Sequence, residues 1–315
     1  MISFHALKQH NKIVALFFVT LCLSGLIAPV VKSVCDTLVS VSPALAHVLN
    51  YKHGSYDFGR VMRRIMMATA VILVFFLRKP LMAGTFAIGG IKQTHEWREQ
   101  LQMGFLLSTG IFIFFTSYLF ASGTKTLQIG AKSVGDVILH LLKILLIAGV
   151  VGCIEEILFR GFILRSFLHS MQTVSAVCAS SLFYSLLHFF KAKYLIASGL
   201  SPLAGFAVIY YSFANIFGNL AGNLPSIIGL FLVGVVLSYA FLRTGSLYFS
   251  IGLHAGWVFL IKANNLFFNH TGTSHRWLVG DSKAVTGAVG WGLLMATLIL
   301  VRCVTKRPSG AASET

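Results

Sequence analysis

Acid is what this 315-residue chain has least of. Only 9 residues are Asp or Glu, against 25 Lys or Arg, and charged residues make up 11% of the sequence. A soluble globular domain carries about 25%. With 56% hydrophobic residues and a mean hydropathy of +0.81, there is too much apolar surface for a water-soluble interior to hide, so the solvent is lipid. The formal net charge of +16 would suggest nucleic acid in a soluble protein. Here the basic residues cluster between apolar runs, where they meet anionic headgroups and set topology. No basic-aromatic motif supports a nucleic-acid partner. The five cysteines show no CxxC and no paired spacing. Four lie in apolar runs, where Cys packs as a small hydrophobe. Neither a disulfide framework nor a zinc-thiolate site is expected.

Known intramembrane chemistries are missing as well. There is no HExxH: "HEWRE" at His95 has the wrong spacing and lies in a polar linker. There is no GxSxG serine elbow. An aspartyl pair would need YD and GxGD. Tyr56-Asp57 lies in a polar loop, and "SVGD" at Ser133 to Asp136 lacks the first glycine.

What is present is a series of apolar runs. A spanning helix needs about 20 apolar residues. Candidate spans are 13–31, 62–77, 103–121, 137–155, 174–190, 203–221, 224–242, 249–268 and 285–303. The run 157–168 is too short to cross alone and reads as an extension of the helix before it. The expected fold is all-α, a multi-pass transmembrane helical bundle of about eight spans. Polar linkers fall at 32–61, 78–102 and 269–284. The first run follows Lys8 and Lys12 like a signal peptide, but it is too long for one, and "ALA" at Ala44 to Ala46 is too far downstream to be its cleavage site. It reads as a retained anchor helix. Lys8, Lys12, the loop Arg78–Arg98 and the tail favour a cytoplasmic face while 32–64 carries Lys32, Lys52, Arg60, Arg63 and Arg64 as well, so the count does not decide; the reading taken is an N-terminus inside. The organisation read from these runs is peripheral transmembrane helices over 1–135, a helical core over 136–268, and a last transmembrane helix with a polar tail over 269–315.

The core is singled out because it holds the ionisable residues deep in apolar sequence. Such a residue costs about 2.5–3.5 kcal/mol to insert, which makes it a functional candidate by default. "CIEEILFRGF", residues 153–162, carries Glu155, Glu156 and Arg160; the span 174–190 carries His188; the segment 244–261 carries His254. Glu156 and Arg160 are four apart, so they share a helix face and can pair. Glu155 is turned about 100° away and needs a partner from another helix, or else is protonated. A structural ion network is the plain reading of the trio, and a carbonyl-bonded core histidine is the plain reading of each His. Three spans with one unexplained polar position each are satisfied together only by converging. A buried Glu/His/His cluster is then either a metal site or a carboxylate–histidine pair that activates water. "SIGLHAGW" places Gly252, Ala255 and Gly256 around His254, allowing a close approach. "GNLAG" at Gly218 to Gly222 is a GxxxG pattern. Asp136, His140 and Lys143 form a stripe at the start of their span and read as a helix-end anchor.

These residues resemble the CAAX-protease and bacteriocin-processing membrane family, which includes the type II CAAX prenyl endopeptidases. "EEILFR" matches its EExxxR motif. "YSLLH", Tyr184 to His188, stands for FxxxH. "HAGWV" supplies the histidine of HxxxN, His254, with Val258 in place of the amide. The resemblance covers about 150 to 260. It implies an intramembrane endopeptidase in which Glu155 and His188 activate the attacking water and His254 stabilises the oxyanion, with Glu156 and Arg160 supporting the site. It leaves open whether there is no cofactor or a divalent metal (zinc) on Glu155, His188 and His254. One oxyanion donor is worth about 2.7–4 kcal/mol, and Val258 supplies none; an Asn at 215, 219, 223, 264 or 265 could take its place. The implied partners are membrane lipid and a peptide or protein substrate, prenylated or a leader or sorting peptide. The implied location is a prokaryotic cell membrane. The alternative is a non-catalytic membrane scaffold or bacteriocin-immunity protein that binds a peptide in the same cavity.

Overall fold

The structure, a computed structural model, describes residues 9–42, 58–81, 96–128, 133–190, 201–270, 276–280 and 285–305. Tyr56-Asp57, His95 and most of the polar tail lie outside the described residues. The protein is an all-α bundle with one small β ladder. In chain order the elements are α1 (Gln9–Val41), α2 (Phe58–Leu81), α3 (Trp97–Ala121), β1 (Lys125–Leu127), α4 (Val134–Glu156), α5 (Thr173–Leu187), α6 (Ala204–Gly218), α7 (Leu220–Thr244), α8 (Leu247–Phe267), β2 (Phe268–His270), α9 (Arg276–Val279) and α10 (Ala288–Val304). Every apolar run named above carries a helix. Among the described residues four helical stretches are long and apolar enough to cross a membrane: His10–Val41, Trp97–Ala121, Val134–Leu168 and Leu220–Thr244.

Two of these are longer than their apolar runs. α1 continues past residue 31 into the expected polar linker. Lys32 and Asp36 pair one turn apart at 2.6 Å, and Thr37 and Ser40 bond back to carbonyls of their own helix, so the polar turns satisfy themselves locally. α4 does extend through 157–168. It becomes π-helical over Ile157–Leu164 and α-helical again over Arg165–Leu168. A π segment is rare and occurs often at functional sites; here it begins one residue after Glu156 and contains Arg160.

The chain forms two compact units, residues 1–84 with 186–223, and residues 85–185 with 224–315. In the first, α1 packs on α2 and α6. Ala28, Phe58, Met62, Ala204 and Val208 make one core cluster, and Leu21, Phe190 and Ile216 make another. A Cβ on Gly205 would run into the Gly25 backbone, so this crossing depends on small residues. The GxxxG pattern at Gly218 to Gly222 does not work this way. α6 ends at Gly218, and a Cβ there would meet nothing, while one on Gly222 would meet only the neighbouring Asn219 side chain.

In the second unit α8 packs against both α3 and α4, and small residues set both distances. A Cβ on Gly104 of α3 would collide with the Phe249 carbonyl, one on Gly252 with the Leu101 carbonyl, and one on Gly256 with Ser108 Oγ. On the α4 side, a Cβ on Gly152 would sit 3.2 Å from the Ala255 amide nitrogen. Along α4 the buried row is Ile144, Ala148, Gly152 and Glu156, one per turn. The other side exposes Leu139, Leu142, Leu146 and Val150, as a lipid-facing surface does. α4 starts at Ser133, whose hydroxyl accepts from the Asp136 amide at 3.1 Å and donates to its carboxylate at 2.8 Å. Ser133 is therefore the N-cap and Asp136 its partner in the first turn, and His140 and Lys143 are exposed beyond it.

Candidate active site

Glu156 is the end of the buried row on α4, and its side chain is 0% exposed. Its Oε1 accepts from Arg160 Nη1 at 2.8 Å. The same oxygen lies 2.8 Å from His254 Nδ1, 98 residues away on α8. Arg160, 1% exposed, also donates from Nη2 to the Gly234 carbonyl on α7 at 3.1 Å. Its guanidinium lies 4.9 Å from the centre of the Tyr184 ring. Gly234 can be reached because α7 and α5 touch there: a Cβ would sit 2.8 Å from Ser181 Cβ. Tyr184, at the position of the FxxxH aromatic, meets Phe159 edge-on at 4.9 Å and His254 at 6.3 Å between ring centres. A buried arginine is held here by a carboxylate, a carbonyl and an aromatic face, the set of partners that offsets its desolvation.

The histidine contact places a hydrogen on one ring nitrogen. A carboxylate only accepts, so Nδ1 carries hydrogen and donates to Glu156. That turns Nε2 toward Glu155, whose Oε2 is 3.7 Å away. Glu155 keeps 14% exposure of its side chain, whereas Glu156 keeps none. The two adjacent acids are therefore inequivalent, as their 100° offset requires, and His254 faces both.

His188 does not lie at the centre of a span. α5 ends at Leu187, and His188 begins the turn after it, with the Phe189 and Phe190 amides bonding three residues back. It is half-buried and falls in the first compact unit, where Leu186, Leu187 and Phe189 pack around Leu21, Phe190 and Ile216. The apolar run ends here because Lys191 and Lys193 follow. Among the described residues no group of three or more His, Cys, Asp or Glu side chains is arranged to hold a metal ion.

Of the amides that could replace the one missing at Val258, Asn264 and Asn265 lie on α8 with His254. Asn264 is bonded to Lys125 and Thr116, ten residues and about 15 Å along α8 from His254. Asn265 is exposed, and Asn223 donates to the Asn215 carbonyl.

Fold and site together define a class: an all-α integral membrane protein with a buried carboxylate–arginine–histidine cluster inside its helices. Residues 137–260 match the family model described as type II CAAX prenyl endopeptidase Rce1-like. The chain thus carries an Rce1-like domain, consistent with the CAAX-protease and bacteriocin-processing family, and that domain contains Glu155, Glu156, Arg160, Tyr184, His188 and His254. The Rce1-like family is a family of proteases. No curated protein and no solved structure matches the chain.

Proposed function

We propose that this protein is an intramembrane endopeptidase that hydrolyses a peptide bond in a membrane-associated or lipidated peptide. One observation carries the reading. Within an Rce1-like segment, His254 is held by one buried glutamate and turned toward a second, Glu155, at 3.7 Å. That separation is too long for a direct hydrogen bond, and it suits two groups that bind one water molecule in common. Glu155 is the general base. It takes a proton as the water oxygen attacks the peptide carbonyl carbon, and it returns that proton to the leaving amine as the C–N bond breaks. Nε2–H of protonated His254 donates to the oxyanion. Glu156 orients the imidazole, and Arg160 holds Glu156. His188 belongs to the proposal on its motif position, as the partner of Glu155.

A divalent metal such as zinc is the alternative activator on the same atoms. Nε2 of His254 and the Glu155 carboxylate would hold it, with Glu156 as the carboxylate that orients a ligating histidine. The metal-free form is the one argued, on the Glu155–His254 separation. The resemblance implies a prokaryotic cell membrane as the setting. The test is cleavage of a lipidated, fluorogenic peptide by purified protein in detergent. Glu155→Gln and His254→Ala should each lower the rate by roughly 10²–10⁴, with metal content measured in parallel. Full rate in both variants would overturn the mechanism. A protein that cleaves nothing, yet binds the peptide equally well with Glu155→Gln, is the non-catalytic scaffold that Val258 raises.

A further inference from the structure

A second buried polar group lies in the same compact unit, away from the glutamates and histidine. α3 ends in a turn at Gly123, whose φ of +70° suits glycine. Gly123 and Thr124 bond back to the Phe120 and Leu119 carbonyls, and the turn delivers Lys125 into the β1–β2 ladder opposite His270. Lys125 is 2% exposed. Its described partners are Asn264 Oδ1 at 2.8 Å and the Phe268 ring at 5.9 Å; no carboxylate pairs with it among the described residues. Burial lowers its pKa to about 8, the response expected of an ammonium without a counter-ion.

The hydrogen bonds run in one direction. Lysine has no acceptor, so Asn264 must present its oxygen to Lys125 and its nitrogen to Thr116. Asn264 Nδ2 donates to Thr116 Oγ1 at 2.8 Å. The Thr116 hydroxyl has then accepted a bond and keeps a proton to give. Asn264, Thr116 and Phe268 all line a cavity of about 630 Å³, whose other walls include Phe112, Phe120, Leu260 and Phe267. Its volume lies in the range of small-molecule sites, roughly 300–1,000 Å³. Apolar walls ask for a hydrocarbon chain. A donor relay that starts on an unneutralised cation asks for an accepting, negative head.

We infer that this cavity binds an amphiphile with one hydrocarbon chain and an anionic head, carboxylate or phosphate, set on Thr116 in the field of Lys125. The bilayer around α3 and α8 is the source of such a molecule. The inference does not depend on the proteolytic reading, because its readout is binding.

The experiment uses the full chain, delipidated in detergent, with cis-parinaric acid as the fluorescent probe and its methyl ester as the uncharged control. A hydrogen bond to a charged group contributes about 1.5–3 kcal/mol, so the acid should bind roughly tenfold or more tightly than the ester. Lys125→Met should remove that preference, and Thr116→Val should weaken the acid several-fold. Ala263→Trp, on the cavity wall, should abolish binding of both probes. Lysophosphatidate should displace the acid, and inorganic phosphate at the same concentration should not. Equal affinity for acid and ester, unchanged binding in Ala263→Trp, or displacement by inorganic phosphate would each overturn the proposal. Thr116→Val and Ala263→Trp decide it alone should Lys125→Met fail to fold.

Discussion

Two buried polar centres hang from α8, about three turns apart, and they balance charge in opposite ways. At His254 the cluster is mixed. Glu156 binds both Arg160 and the imidazole, and Glu155 faces the far ring nitrogen. At Asn264 the cluster has one sign, with Lys125 bonded only to neutral groups among the described residues. The first centre holds groups of both signs, which the proposed chemistry on a neutral peptide bond would use. The second lacks a negative charge, which is the physical reason to look for a ligand that brings one. Burial alone did not separate the two, since Arg160 and Lys125 are almost equally hidden at 1% and 2% exposure.

The comparison can be broken by mutation. Arg160→Met removes the partner of a fully buried carboxylate and should cost about 3–5 kcal/mol, read from unfolding in detergent. Lys125→Met removes a cation that has no acid beside it among the described residues, so its unfolding midpoint should move far less. Equal losses in the two variants would contradict that difference in charge balance. A smaller effect, about 1–3 kcal/mol of overpacking, is expected for Gly252→Val, whose Cβ meets the Leu101 backbone. It should impair cleavage as well, because the α3–α8 approach helps fix the position of His254 against α4. The smallest effect is a slope. With a folded pKa of about 8, below the usual 10.5, Lys125 binds fewer protons folded than unfolded between those values. Its contribution to stability therefore rises with pH across that window. The difference between wild type and Lys125→Met, followed by thermal melts from pH 7.5 to 10.5, should show that rise; a flat difference contradicts it.

The longer helices were readable from sequence because each holds an apolar run, and lipid allows few other solutions to such a run. The Glu156–Arg160 pair was readable too, since a spacing of four fixes it within one helix. The Glu156–His254 bond was not. Which of two adjacent acids meets a histidine 98 residues away depends on the register of α4 against α8, and that register is set where Gly152 packs on Ala255. The glycines around His254 were visible as permission for a close approach, without saying that α3 was the neighbour. Lys125 left no local signal at all. It sits outside every apolar run, and only the turn at Gly123 and the pairing of β1 with β2 bury it. The π segment and the extension of α1 through Lys32 and Asp36 were likewise hidden, because each answers to hydrogen bonding that composition does not record.

The most direct test of the central claim is mass spectrometry of membrane peptides from cells carrying wild-type protein or Glu155→Gln at matched abundance. The account predicts that specific cleavage products of a membrane-associated peptide appear with wild type and vanish with Glu155→Gln, while the intact precursor accumulates. Identical peptide profiles, or products that persist undiminished in the variant, would contradict it.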